Sequence, residues 1–318
     1  MIRRVSVIVL LISALFVTPA LAYTVYITNH GENSISIIDG TTKKVLDTVK
    51  ISQNAPHLGV LSADGKFLYT ANVGSASVSV FDTVAKKEVA VIPAAKGTHG
   101  VTLSFDDNYL WTANNQDDVV AIVDLSEKKV VKTTKVGSKP MLVALHPDGG
   151  RAYVSNGGSG DVYVINTANG RVMKKIFAGK DAMGMAFTPE GKELWVTEGG
   201  DNIVSVIDTS EDKVVSEIKI GADTHGVAIT EDGKTAYVSV RKENYVAVIE
   251  VSKREVIGKI PVLPLPDMLE FSPDEKELWV TSRAGNTVDV IDLSTRKVSS
   301  VKVGLTDKPQ PHGVAIKK

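Results

Sequence analysis

Apolar and polar residues alternate along most of the chain beyond residue 22, in short runs cut by Gly, Asp and Asn. Val78-Ser79-Val80 and Val204-Ser205-Val206 are typical. A period of two is the signature of a strand with one face buried. The runs recur in register. An aromatic residue opens a β-rich tetrad at Tyr26, Tyr69, Trp111, Tyr153, Trp195, Tyr237 and Trp279, with spacings of 43 and then 42 residues throughout. All three tryptophans fall in this column. A second column closes the following strand: Asp39, Asp82, Asp124, Asn166, Asp208, Glu250 and Asp292. Its carboxylates are expected to cap backbone donors in a turn. Asp64-Gly65, Asp148-Gly149 and Asp232-Gly233 precede the aromatics as hairpin turns.

Seven units of about 42 residues, each with room for about four short strands, predict an all-β chain folded as a seven-bladed β-propeller of four-stranded blades. A single four-stranded sheet cannot bury both faces, whereas radial stacking does. The repeat enters at Tyr23 in a second strand and ends with His312-Gly313-Val314-Ala315-Ile316, which reads as a first strand. The C-terminal strand is therefore expected to pair with Tyr23–Thr28 and close the ring, hiding two sheet edges. An open β-solenoid does not account for this split.

The pattern P-H-G-V-A-x-x-x-D-G-x-x-x-Y-V-T-N resembles the YVTN-repeat propellers, which include YncE-like periplasmic proteins, and the resemblance runs through all seven units. More distantly it is similar to the d-type-haem propeller of nitrite reductases and the copper-binding propeller of nitrous oxide reductase. Those two families place propeller histidines on a central cofactor. The resemblance implies the fold; one fold hosts many activities.

Met1–Ala22 bears Arg3 and Arg4, then the apolar run Val5–Val17, then Ala20-Leu21-Ala22. This is expected to be a cleavable signal peptide, too short to span a bilayer as a stable helix. Residues 23–318 would form a single propeller domain, periplasmic or secreted and monomeric. The 318 residues carry a net charge of -1; without Arg3 and Arg4, 34 basic side chains face 37 acidic ones, a net of -3. That charge argues against nucleic acid as a partner. The composition, 43% hydrophobic and 23% charged, is that of a folded globular protein. Cysteine is absent, which excludes disulfides, thiolate metal sites, iron–sulfur clusters and covalent c-type haem. No nucleophile elbow, Walker loop, dinucleotide fingerprint or zincin helix is present.

One column looks chemical. Twelve residues before each aromatic stand His57, His99, Met141, Met183, His225 and Asp267, and His312 takes the equivalent place in the closing strand. First strands line a propeller's channel, so the column is expected to ring its mouth. Every member is a potential ligand. Imidazole with thioether suits copper or iron, three histidines can hold zinc, and one carboxylate is too few for calcium. His312, His57 and His99, from adjacent blades, are the best three-histidine set, provided that side chains can reach across a wide channel. A haem taking one axial histidine would ease that requirement. The loop beyond the aromatics carries His30, Arg241 and Arg283 in neighbouring blades, a sector suited to an anionic group such as a haem propionate. Arg241 and Arg283 could equally pair with surface acids such as Glu243. Glu198 replaces an asparagine of blade 5 and reads as a surface substitution, with a ligand role as the alternative, and His146 reads as structural or solvent-exposed. The resulting functional expectation is an exported, non-enzymatic binding propeller holding a small ligand or protein partner at the channel mouth. A haem- or copper-binding cofactor protein and a metal-dependent lactonase-like hydrolase are the alternatives.

Overall fold

A computed structural model describes residues 22–317. Apart from Ala22, the expected signal peptide lies outside the described residues. Seven antiparallel four-stranded sheets form the molecule. Blade 1 runs outward as Pro311–Lys317, Thr24–Asn29, Ser34–Asp39 and Lys44–Lys50. Blades 2 to 7 begin with the inner strands Pro56–Leu61, Thr98–Leu103, Pro140–Leu145, Ala182–Phe187, Thr224–Ile229 and Pro266–Phe271, each followed by its three outer strands in chain order. The C-terminal strand closes blade 1: Val25 pairs with Ile316 and Ile27 with Val314. Each inner strand touches the inner strands of both neighbouring blades, so the seven form an unbroken ring around the axis.

The core is distributed as seven apolar clusters, one at each interface between blades. Trp195, Val204 and Val206 of blade 5 pack on Val238, Tyr245 and Ala247 of blade 6. Trp279, Val288 and Val290 of blade 7 pack on Val25, Ile27 and Val314 of blade 1. The aromatic column therefore fills gaps between sheets, as burial of large apolar side chains requires. The acidic column caps turns: Asp39 accepts from the backbone of Thr41 (2.9 Å) and Thr42 (2.8 Å), and Asp208 from Ser210 (2.8 Å) and Glu211 (3.0 Å). Gly65, Gly149 and Gly233 take the left-handed turn position, with φ of 64°, 73° and 68°. No described helix is long and apolar enough to cross a membrane.

Two local features aim the inner strands at the axis. In every blade the pairing of first with second strand slips register around the chemical column, for example between Pro56 and Gly59 and between Pro266 and Leu269. Such bulges turn extra side chains out of the sheet. In five blades a second-strand hydroxyl also donates to the column carbonyl of the next blade: Thr28 to His57, Ser155 to Met183, Thr197 to His225, Ser239 to Asp267 and Thr281 to His312, over 2.5–2.7 Å. Close approach also needs missing side chains: a Cβ on Gly184 would stand 2.2 Å from the His225 carbonyl oxygen, and one on Gly313 2.4 Å from that of His57.

Candidate functional site at the channel mouth

The column residues converge and plug the channel. His57, His99, Met183, His225, Asp267 and His312 are buried, and Met141 is partly so. The His57 ring lies 3.5 Å from that of His312 and 3.8 Å from that of His99, centre to centre. Long side chains on bulged strands fill the axis. The space left is about 10 Å³, bounded by His99, His225, His312, Met141, Met183 and Met268 among others. That is roughly the room one water needs. Met268, Leu58 and Leu142 enter because the bulge exposes the residue after the column as well.

Among the described residues the ring nitrogens of the three-histidine set His312, His57 and His99 do not all come within 4.8 Å of one another. A different set does. His225, Asp267 and His312 each offer a ligand atom within 4.8 Å of the others, and all three are buried. Asp267 Oδ2 lies 3.4 Å from His312 Nε2, and Oδ1 lies 3.8 Å from His225 Nε2. Neither Asp267 oxygen has a hydrogen bond, and the Nδ1 atoms of His57, His312 and His30 also lack one. Unsatisfied buried polar atoms are rare in folded proteins and cost stability, so they point to a use.

Electrostatics keep the imidazoles neutral. Burial pushes His225 and His312 well below the ordinary histidine value, reinforced by Arg241 and Arg283 at His225 and by His225 and Arg283 at His312. The same cause with neighbouring histidines lowers His57, and burial brings His99 down to about 4. Burial raises Asp267 to about 6 against the opposing pull of Arg241 and Arg283. Arg241 turns inward, not toward Glu243: its Nε is 2.9 Å from Asp267 Oδ1, an ion pair lacking hydrogen-bond alignment, and its Nη1 is 3.2 Å from His225 Nδ1. Asp223 stands 3.9 Å from the same guanidinium. Glu243 instead accepts from Ala222 N (2.7 Å). His30 sits over the ring, 5.7 Å from His57 and 6.4 Å from His312.

Glu198 is not a surface substitution. It is 0% exposed at the end of its strand, where Asn29 and Asn72 donate to serine pairs in their own blades. Neither Glu198 oxygen has a partner, and burial with nearby acids pushes it up to about 9. His146 is structural as expected: buried on the other face, with its Nε2 2.9 Å from the Gly191 carbonyl.

The YNCE-like beta-propeller family matches residues 185–317. The C-terminal part of the chain is thus similar to that family. The cytochrome D1 heme domain family matches residues 23–134. No curated protein matches the chain. Solved structures that share its fold include the following three. One is a functionally unknown protein from Desulfotomaculum acetoxidans (TM-score 0.80, 15% identity, 92% of this chain and 98% of that one). Another is hydrazine synthase from Kuenenia stuttgartiensis (0.75, 21%, 89% and 93%). The third is a periplasmic gluconolactonase from Pseudomonas aeruginosa (0.76, 16%, 93% and 99%). At such identities the likeness is one of fold alone. The haem suggested by the N-terminal match does not fit inside the closed ring, whose free space of about 10 Å³ is far below that of a macrocycle.

Proposed function

We propose that the protein is an exported binding propeller that holds a single transition-metal ion at the mouth of its channel, on His225, Asp267 and His312. One observation carries this reading: three potential ligands from three consecutive blades meet within 4.8 Å in a buried setting where both carboxylate oxygens lack hydrogen bonds. Two imidazoles and a carboxylate form a donor set used by borderline metals. Each neutral imidazole keeps one nitrogen lone pair; on His225 it lies on Nδ1 while Arg241 donates there, so ligation through Nε2 goes with the departure of Arg241. Met141, Met183 and Met268 line the same space and favour copper over harder ions. Arg241 occupies the cation's place beside Asp267, and Asp223 at 3.9 Å is ready to receive it when the metal enters. Export is supported by the Arg3-Arg4, Val5–Val17 and Ala20–Ala22 pattern.

The test is elemental analysis and calorimetry on tag-free protein purified from an exporting host. Near-equimolar copper or zinc is expected, taken up again after chelation. Asp267→Asn combined with His312→Ala should lower copper affinity by two orders of magnitude or more while the circular dichroism spectrum stays that of a β protein. Wild-type protein that takes up neither metal, or a double variant that binds as tightly, would overturn the reading.

A further inference from the structure

Above the histidine plug lies a second tier that the repeat builds with equal regularity. The residue just past each second strand is His30, Val73, Asn115, Gly157, Gly199, Arg241 or Arg283. In all seven blades its N–H donates to the backbone carbonyl of the loop entering the inner strand: His30 to Gln310, Val73 to Ala55, Asn115 to Gly97, Gly157 to Lys139, Gly199 to Asp181, Arg241 to Asp223 and Arg283 to Leu265, over 2.8–3.1 Å. One bond repeated seven times holds these residues at one height around the axis.

The tier is asymmetric. Blades 6, 7 and 1 contribute Arg241, Arg283 and His30. Blades 4 and 5 contribute only glycines, and a Cβ on Gly157 would lie 3.2 Å from both Met141 Cγ and Asp181 Oδ1. The two arginines differ. Arg241 is shared by Asp267 and Asp223. Arg283 is partly buried, and no carboxylate of the described residues lies within 4.0 Å of it. It sits close enough to His30, His57, His225, His312 and Asp267 for its charge to act on all five. Asp267 pulls on Arg283 only from a distance, and a guanidinium withdrawn from water without a contacting counter-ion is expensive, while its planar fork matches an oxyanion. Of the acids nearby, Asp267 belongs to the plug beneath this tier and Asp181 and Asp223 lie toward blades 5 and 6, which leaves the outer side of blades 7 and 1 to the anion.

We infer that Arg283, assisted by Arg241, is the anchor of a binding site for a small oxyanion, a carboxylate or a phosphate, seated on the histidine plug. This deepens the reading of the channel mouth as the ligand site but does not require the metal. The anion would give Arg283 the bidentate partner it lacks, and its body would extend over the glycine side above Met141 and Met183.

The test uses chelated, metal-free full-length protein, so that failure of the metal reading leaves its outcome unaffected. Inorganic phosphate and malonate are titrated by calorimetry at low ionic strength, with thermal melting as a second readout. Wild-type protein should bind at least one probe with a Kd below 1 mM and melt higher in its presence. Arg283→Gln should weaken that binding ten-fold or more and abolish the ligand-induced shift, while melting no lower than wild type without ligand, since the substitution removes an uncompensated cation. Arg283→Lys should bind with intermediate strength. Absence of binding by wild type to both probes, or equal affinity in Arg283→Gln, overturns the inference. A large drop in the unliganded melting temperature of Arg283→Gln would do the same, since it would make the arginine a structural residue.

Discussion

Glu198 is the side chain most at odds with its surroundings. A carboxylic acid that titrates near 4.5 in the unfolded chain is held up to about 9 in the fold by burial and by Asp201, Asp181 and Glu217. The folded state therefore keeps a proton that the unfolded state gives up. Stability linked to that proton is fully present below about pH 4.5 and is lost as pH rises toward 9. Glu198→Gln removes the penalty and restores an amide of the kind that Asn29 and Asn72 use in their blades. Its melting temperature should match wild type near pH 4.5 and exceed it at pH 8 by roughly 3 °C, from about 2 kcal/mol in a domain of this size. Thermal melts at the two pH values check this, and equal differences at both would refute it. The sequence showed that a glutamate stood in an asparagine column, but not that the column faces inward, because strand ends at a propeller face look polar whether wet or dry. The ligand column was legible for the opposite reason. His57, His99 and His225 keep the 42-residue period of the fold, so spacing placed them on equivalent strands, and the Pro311-His312-Gly313-Val314-Ala315 motif placed His312 three residues beyond that period. Which of them converge depends on ring orientation, and that singled out His225, Asp267 and His312.

At the scale of the strand, the bulge and the hydroxyl clamp act together. The bulge turns two successive residues toward the axis, which is why Leu58, Leu142 and Met268 reach a cavity that the alternating pattern would have assigned to one residue per blade. The Thr or Ser two places after the aromatic then fixes the carbonyl of that bulge in the next blade. This gives the third letter of the Y-V-T-N tetrad a physical role that the sequence did not disclose, since its partner lies in another repeat. Thr281→Val keeps the shape of the side chain and leaves the His312 carbonyl without its 2.7 Å donor. The expected cost is about 1–2 kcal/mol in urea denaturation. Copper affinity should fall with it, because His312 loses its anchorage. A variant as stable as wild type would show that the clamp is incidental.

At the scale of the whole molecule, the ring is held by one seam. Residues 24 to 29 are flanked by Ser34–Asp39 on one side and by the C-terminal strand on the other. Removing residues 311–318 would bare that edge, open the cluster of Trp279, Val25 and Ile27 to water, and delete the proposed ligand His312 at once. The truncated protein should self-associate in sedimentation experiments, and a synthetic peptide of sequence PHGVAIKK added in excess should return it to a monomer. If the truncated chain stays monomeric with an unchanged melting temperature, the seam is not what closes the ring.

That seam also orders events in time. Thr24 and Lys317 pair across roughly 290 residues of chain, a contact that contributes the longest loop the protein has to close. Blades 2 to 7 are each contiguous in sequence and can form by local hairpins, whereas blade 1 must wait for the last strand to be made. His312 arrives with that strand, so the proposed metal and anion sites come into being only in the final step of folding. A ligand for this mouth would therefore act as a reporter of completion: a chain that binds it has closed.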